Sequence, residues 1–417
     1  MKVRNQFIAL ACLLAFAGLG FLYVRMWVVQ KPSQIILFVS DALASRPLTA
    51  ARLYAGGADY RFALESFPNT ALLRNSSEDF AVPDDSSAAT ALATGKRSSH
   101  RLVSATGTGN PLPTILERAH QSGRAIGLIT NSRLSAPALA AFYAHTPRSH
   151  DAEGIALQLF ERDWIRLILG GGGGDFLPEN AEGDWPGRRK DGRNLIAEWA
   201  AQGVEVVRSK AELEQAGAWE KGRVVGLFGS GPLAYANQLE SGSQQPSLAD
   251  MTRRAIELLR SDRLRGGRGS YLLVVDASLY SNACELNQAE RALREVQALD
   301  EAIEAARDAA GDKALIMAVG RLSTGGLTMS GYPLRQQKGP EFLGLDPAGY
   351  PYLTWASGPN GPQPGAPAQR NEPAAIVQPS GLNTAEDMIG VGVGPGSERL
   401  RGFLDNTAIF DILNDAL

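Results

Sequence analysis

The sequence predicts an α/β fold: a mostly parallel central sheet with helices on both faces, preceded by an apolar N-terminal segment. Short β-branched or aliphatic runs recur along the chain, amphipathic helical stretches alternate with them, and the overall make-up, 44% hydrophobic and 20% charged, is that of a globular protein. With 417 residues the chain is long enough for one large α/β domain or two of average size.

The chain opens M-K-V-R-N-Q and then runs apolar from Phe7 to Val24 without a charge, before Arg25, Trp27 and Lys31. A basic start followed by an apolar run of this length is read by the secretion machinery and can span a bilayer, with Tyr23 and Trp27 near the far interface. The reading taken is an uncleaved anchor over residues 1–31, with the remainder outside the cytoplasm, in the periplasm or an equivalent space. The alternative is cleavage after Ala15-Phe16-Ala17, which would secrete the domain. A lipid on Cys12 fits less well, because only five residues separate it from Asn5-Gln6.

Beyond Pro32, strands are expected at 35–39, 125–130, 166–169, 204–207, 224–228, 271–275, 314–319 and 389–393, each a compact aliphatic run. Helices are expected at 113–121, 151–162, 248–259 and 287–310, the last with Leu293, Val296, Leu299 and Ile303 at helical spacing. Residues 328–380 are crowded with proline, from Pro333 to Pro379, and are read as a surface excursion, a lid or partner-binding loop inside a single domain spanning 32–417.

A formal charge of -3, from 41 basic and 44 acidic residues, gives no footprint for gripping nucleic acid. Outside the apolar segment the only cysteine is Cys284, so the domain can hold neither an intrachain disulfide nor a thiolate zinc site. The chemical hints are acids at strand ends, because ligands of open α/β sheets gather beyond the carboxyl ends of strands. Asp41 closes Ile35-Ile36-Leu37-Phe38-Val39-Ser40-Asp41, Asp276 follows the run that begins at Tyr271, and Asp84-Asp85 lead into an Ala-rich helix. Taken singly, Asp84 or Asp85 is most simply an N-cap and Asp276 a loop acid.

Read in order, these segments resemble the alkaline phosphatase family over nearly the whole chain after the anchor. IILFVSD is similar to the family's first strand, and VPDDSSAATALATG to its nucleophile segment, usually V-T-D-S-A-A-S-A-T-A. The match continues through TILERAHQSGRAIGLITNSRLSAPALAAFYAH, LILGGGGGDFLP, PSLADMTRRAIELL, YLLVVDASLYSNACELNQAERALREVQALDEAI, STGGLTMSGY and GVGVGPGSERLRGFLDNTAIF. The resemblance implies the family's three-layer sandwich. It also implies a chemistry of two zinc ions and a magnesium that activate a serine, which forms a phosphoserine intermediate that water then hydrolyses.

Position by position, the resemblance also implies a degenerate site. Asp41 matches the family's bridging carboxylate, and Asp276 stands where a magnesium-binding Glu is expected. Asp85 occupies the nucleophile's place, and Ala136 and Ala138 the places of a magnesium-binding pair. Ser281 and Glu285 stand for the Asp and His of E-G-x-x-I-D-x-x-x-H. Arg321 and Leu322 replace two zinc ligands of A-D-H-E-T-G-G, and the late His falls on Asn383. All four histidines lie within the first 150 residues, so none remains for the later ligand positions. A one-residue slip would make Ser86 the nucleophile, but it turns the side chain about 100° around the helix start. Arg148 lies one position early for the family's phosphate-binding Arg.

The functional expectation is therefore an exported pseudophosphatase that binds a partner or ligand, its centre closed by a buried Asp85–Arg321 ion pair; against this stands a solvent-facing Arg321. No cofactor is expected. The alternative is an active metal-dependent phosphomonoesterase in which Asp41, Asp85, Asp276 and Glu285 offer oxygen ligands to Mg²⁺ or Ca²⁺ in preference to Zn²⁺. An Asp nucleophile would then form an acyl phosphate, with no acid or base evident beside it. Expected partners are the membrane through the anchor, an unidentified protein or small molecule, and, as the family allows, a second copy in a homodimer; nucleic acid is not among them.

Overall fold

The computed structural model describes residues 2–23, 31–183, 185–217, 222–240, 242–261, 269–361 and 373–417. Val24, Arg25 and Trp27, together with Pro362, Pro364 and Pro367 of the excursion, lie outside the described residues. Helix α1 (Lys2–Tyr23) is apolar and exposed, and its stretch Arg4–Tyr23 is long enough to cross a membrane, about 30 Å at helical rise. Its composition and length suit a signal or an anchor.

The strands are β1 (Gln34–Ser40), β2 (Asn69–Arg74), β3 (Ala125–Arg133), β4 (Ile165–Gly171), β5 (Glu205–Val207), β6 (Val224–Leu227), β7 (Tyr271–Asp276), β8 (Leu315–Gly320), β9 (Ser323–Thr324), β10 (Thr328–Met329), β11 (Leu353–Gly358), β12 (Ala374–Val377), β13 (Asn383–Thr384), β14 (Met388–Val393) and β15 (Arg401–Asp405). Ten of them form one sheet in the order β15-β2-β14-β8-β1-β7-β3-β4-β6-β5. Only β14 runs against its neighbours; the pairings from β8 to β5 are all parallel. All eight expected strands are present. β2 and the edge strand β15 were not legible, because their partly exposed residues break the apolar run that marked the buried strands.

The remaining helices are α2 (Ser45–Gly56), α3 (Asp85–Thr94), α4 (Ile115–Gln121), α5 (Pro137–Ala140), α6 (Ala152–Glu161), α7 (Leu195–Ala201), α8 (Lys210–Gln215), α9 (Leu248–Ser261), α10 (Leu279–Glu285), α11 (Ala289–Ala310) and α12 (Ala408–Ala416). They cover both faces of the sheet, giving three layers. Alternation along β1 shows how: Ile36 and Phe38 pack with α2, α9 and α11, whereas Ile35, Leu37 and Val39 pack with α3, α4 and α12. The run expected as one helix from residue 287 begins two residues later, since Asn287 is left-handed (φ 50°) and separates α10 from α11.

The proline-rich excursion contains a small sheet, β10-β11-β12, and belongs to the main body: Phe342, Leu353 and Trp355 are buried in the core shared with α2 and α11. A latch fixes it to the α10–α11 corner. Asn287 donates to the Ser357 carbonyl at 3.0 Å and accepts from the Asn360 amide at 3.2 Å, while the Asn360 side chain donates to the Asn287 carbonyl at 3.0 Å.

Candidate functional site

The site forms where three neighbouring parallel strands end. In register, Val39 of β1 faces Asp276 of β7, and Ser40 faces Gly320 of β8, so Asp41 and Arg321 each lie one residue past a matched pair. Gly320 permits this approach: a Cβ there would sit 2.4 Å from the Leu43 carbonyl. From outside the sheet, the start of α3 supplies Asp85 and helix α10 supplies Ser281 and Glu285.

Arg321 is buried (1% exposed) and grips Asp41 bidentately, Nε to Oδ1 at 2.9 Å and Nη2 to Oδ2 at 2.6 Å. The Ser281 hydroxyl and the Leu322 amide also donate to Asp41. The other side of the guanidinium faces Asp276 at 3.8 Å and the Ser278 hydroxyl at 3.4 Å, and Nη2 lies 3.8 Å from Asp85. Asp276 is held by Ser278 at 2.6 Å and Thr130 at 2.7 Å, and the Asn75 side chain donates to the Arg321 carbonyl.

Burial alone would lower the Arg321 pKa, but the carboxylates of Asp41, Asp85 and Asp276 outweigh it and hold the group above its ordinary range. Burial raises Asp276 against the opposing pull of Arg321. Asp85 is pushed up to about 6 by enclosure, with Arg321 opposing and the neighbouring acids adding to the rise. Its side chain nevertheless keeps 43% of its surface open, so it is not sealed in the core. Glu285 is pushed up to about 7 by burial and then by Asp85 and Asp41.

The alkaline phosphatase family model matches residues 33–348. The chain belongs to the alkaline phosphatase family. It is 26% identical to alkaline phosphatase 4 of Drosophila melanogaster, over 93% of this chain and 76% of that one. It is 30% identical to an alkaline phosphatase of Gadus morhua, over 66% and 65%. With alkaline phosphatase 4 of Bacillus subtilis (strain 168) the identity is 32%, over 60% of this chain and about half (51%) of the relative. Among solved structures, the alkaline phosphatase of the Antarctic bacterium TAB5 superposes with a TM-score of 0.73 at 19% identity, over 93% of this chain and 98% of that one. That of Thermus thermophilus gives 0.72 at 24%, over 93% and 92%. At these identities the superpositions establish the alkaline phosphatase fold.

Within this alkaline phosphatase fold, Asp41, Asp85, Asp276, Ser281, Arg321 and Leu322 come together, and Glu285 adjoins them. Arg321 is not solvent-facing, and its expected pairing is corrected in one respect: its tight partner is Asp41, because both lie just past paired strands, and Asp85 is a looser third carboxylate. Asp84, not Asp85, caps α3, accepting from the Ser87 amide at 2.8 Å. Ser86 donates to the Asp84 carboxylate at 3.0 Å. Ala138 is buried and Ala136 half-buried at the start of α5; neither methyl group can hold an ion. Asn383 braces the loop before α3, donating to the Pro83 carbonyl at 3.1 Å and accepting from Thr324 at 3.2 Å.

The structure does not bring Arg148 into the cluster. Its side chain is 79% exposed, with Asp151 at 3.7 Å, on a rim loop whose Ser149 amide donates to the Arg101 carbonyl; the Arg101 amide in turn reaches Asp84 at 2.8 Å. The histidines have other roles: His145 bridges the Ser104 carbonyl and Glu117, His100 packs on Phe80, His120 stacks on Trp164, and His150 is exposed. Among the described residues no three His, Cys, Asp or Glu side chains are arranged to hold a metal ion. Sequence reasoning missed Ser278, Thr130 and Asn75. Ser278 was within reach, two residues after Asp276, whereas Thr130 and Asn75 meet the site only through sheet register and tertiary packing.

Proposed function

We propose that this protein is an exported, membrane-anchored member of the alkaline phosphatase family that acts by binding a protein or small-molecule partner, without turning over phosphate esters. The observation that carries this reading is the buried guanidinium of Arg321, bound bidentately to Asp41 and within 4 Å of Asp85 and Asp276. A fixed positive charge there neutralises the carboxylates that would otherwise attract cations, and bidentate geometry lets arginine do so without an ion. The donors do not fit the zinc pair of the family resemblance: no imidazole reaches the cluster, and Asp41 already receives four donors. At the nucleophile's place Asp85 offers a carboxyl, and the hydroxyl of the next residue, Ser86, donates to Asp84.

The test is elemental analysis of the full chain, purified in detergent without chelator and incubated with zinc, magnesium and calcium, alongside turnover of an aryl phosphate. No stoichiometric metal and no turnover are expected. A tightly held Mg²⁺ or Ca²⁺ together with hydrolysis would restore the reading as a metal-dependent phosphomonoesterase with an altered, all-oxygen site.

A further inference from the structure

Beside the Arg321 cluster, a separate cavity of about 220 Å³ opens between the loop that follows β6, helix α11 and the start of α10. Leu233, Leu239, Pro246, Leu279 and Ala298 give it apolar walls, and Asn131, Gln245, Ser247, Glu295 and Glu301 line it with polar groups. Glu295 is 4% exposed, with no cation paired to it among the described residues. Its carboxylate accepts from the Asn131 side chain at 2.9 Å and the Ala236 amide at 2.7 Å, leaving one further acceptor position on each oxygen. Gln245 is fixed by the Ala234 amide, which donates to its Oε1 at 3.3 Å, and its Nε2 is buried with no hydrogen-bond partner.

A buried carboxylate without a cation and a buried amide donor without an acceptor both cost stability, and apolar side chains could fill the same space. Both groups line one cavity, and their unmet demands are complementary to a single kind of molecule. We propose that this cavity binds a short aliphatic amine that also carries a hydrogen-bond acceptor: the ammonium against Glu295 and Glu301, the acceptor at Gln245 Nε2, and the carbon chain against Leu239 and Leu279. Burial pushes Glu295 up to about 7, so a cationic ligand supplies the charge that its surroundings lack. The cavity adjoins the central site without depending on its chemistry: Asn131, which holds Glu295, also accepts from the Leu279 amide at 3.2 Å, at the first residue of the helix that carries Ser281 and Glu285.

Calorimetry on the full chain in detergent, at about pH 8 where Glu295 is mainly ionised, tests this with aminobutanol as the probe and butanediol as its uncharged counterpart. Saturable binding of one aminobutanol per chain is expected, with butanediol weaker by about tenfold or more. Glu295→Gln should weaken aminobutanol binding by a similar factor, and Ala298→Phe, which fills the cavity, should abolish it. Equal binding of the diol, binding indifferent to both substitutions, or no saturable binding would each overturn the proposal. If Ala298→Phe does not fold, Glu295→Gln decides alone.

Discussion

Removing the guanidinium of Arg321 strands Asp41 and Asp276, both 1% exposed or less, as unpaired buried carboxyls. Arg321→Leu is therefore expected to cost roughly 3–5 kcal/mol of stability, read from denaturant unfolding; an unchanged unfolding midpoint would show that the pair does not hold the centre. Glu295 gives a prediction of pH dependence. Its folded value, about 7 against an ordinary 4.5, is raised, so between these values the folded state binds more protons than the unfolded chain. The stability it contributes is present below about 4.5 and is lost as pH climbs to about 7. Glu295→Gln should accordingly flatten the fall in melting temperature between these pH values relative to the natural chain. At this scale the sequence was informative about identity and named the wrong tight partner for Arg321. That Arg321 stands at a ligand's place is an expectation from its motif; that it grips Asp41 more tightly than Asp85 depends on strand register.

Helix α3 presents Asp85 to the site because Asp84 stops the helix in front of it. Asp84→Ala removes the cap on the Ser87 amide, the partner of Ser86 and the contact to the Arg101 amide, and is expected to lower stability by about 1 kcal/mol, measured as a shift in melting temperature. The latch between the α10–α11 corner and the excursion acts on a larger piece. Asn287 is left-handed and packed where a Cβ on Gly358 would overlap it, so Asn287→Ala removes the polar ties without adding bulk. Faster proteolytic cleavage within 328–361, with little change in global melting, is the expected outcome; equal cleavage rates would show that the buried Phe342, Leu353 and Trp355 suffice. The buried strands and the longer helices were legible as elements, since burial on two faces or one writes itself into apolar runs and helical spacing. β2, β15 and the break at Asn287 were not, because edge strands carry little apolar signal and a left-handed asparagine has no fixed spacing.

For the whole molecule, the anchor reading predicts that the full chain stays with the membrane through alkaline carbonate extraction, and that a chain lacking residues 1–31 is released. Release of the full chain would favour cleavage and secretion. The buried Arg124 ties the segment before β1 to α12, donating to the carbonyls of Pro32 and Ser33 at 2.9 Å and to that of Ala416 at 3.0 Å. The sequence by itself determined the layered α/β architecture and the absence of late histidines, which are matters of residue type and periodicity along the chain, and its motif segments carried the resemblance that points to the family. Only the tertiary structure decided that Arg321 is buried among three carboxylates, that Ser86 and Arg148 stand outside that cluster, and that Glu295 and Gln245 share a cavity. Those are relations between residues up to 280 positions apart, set by strand order and register, which a linear pattern does not encode.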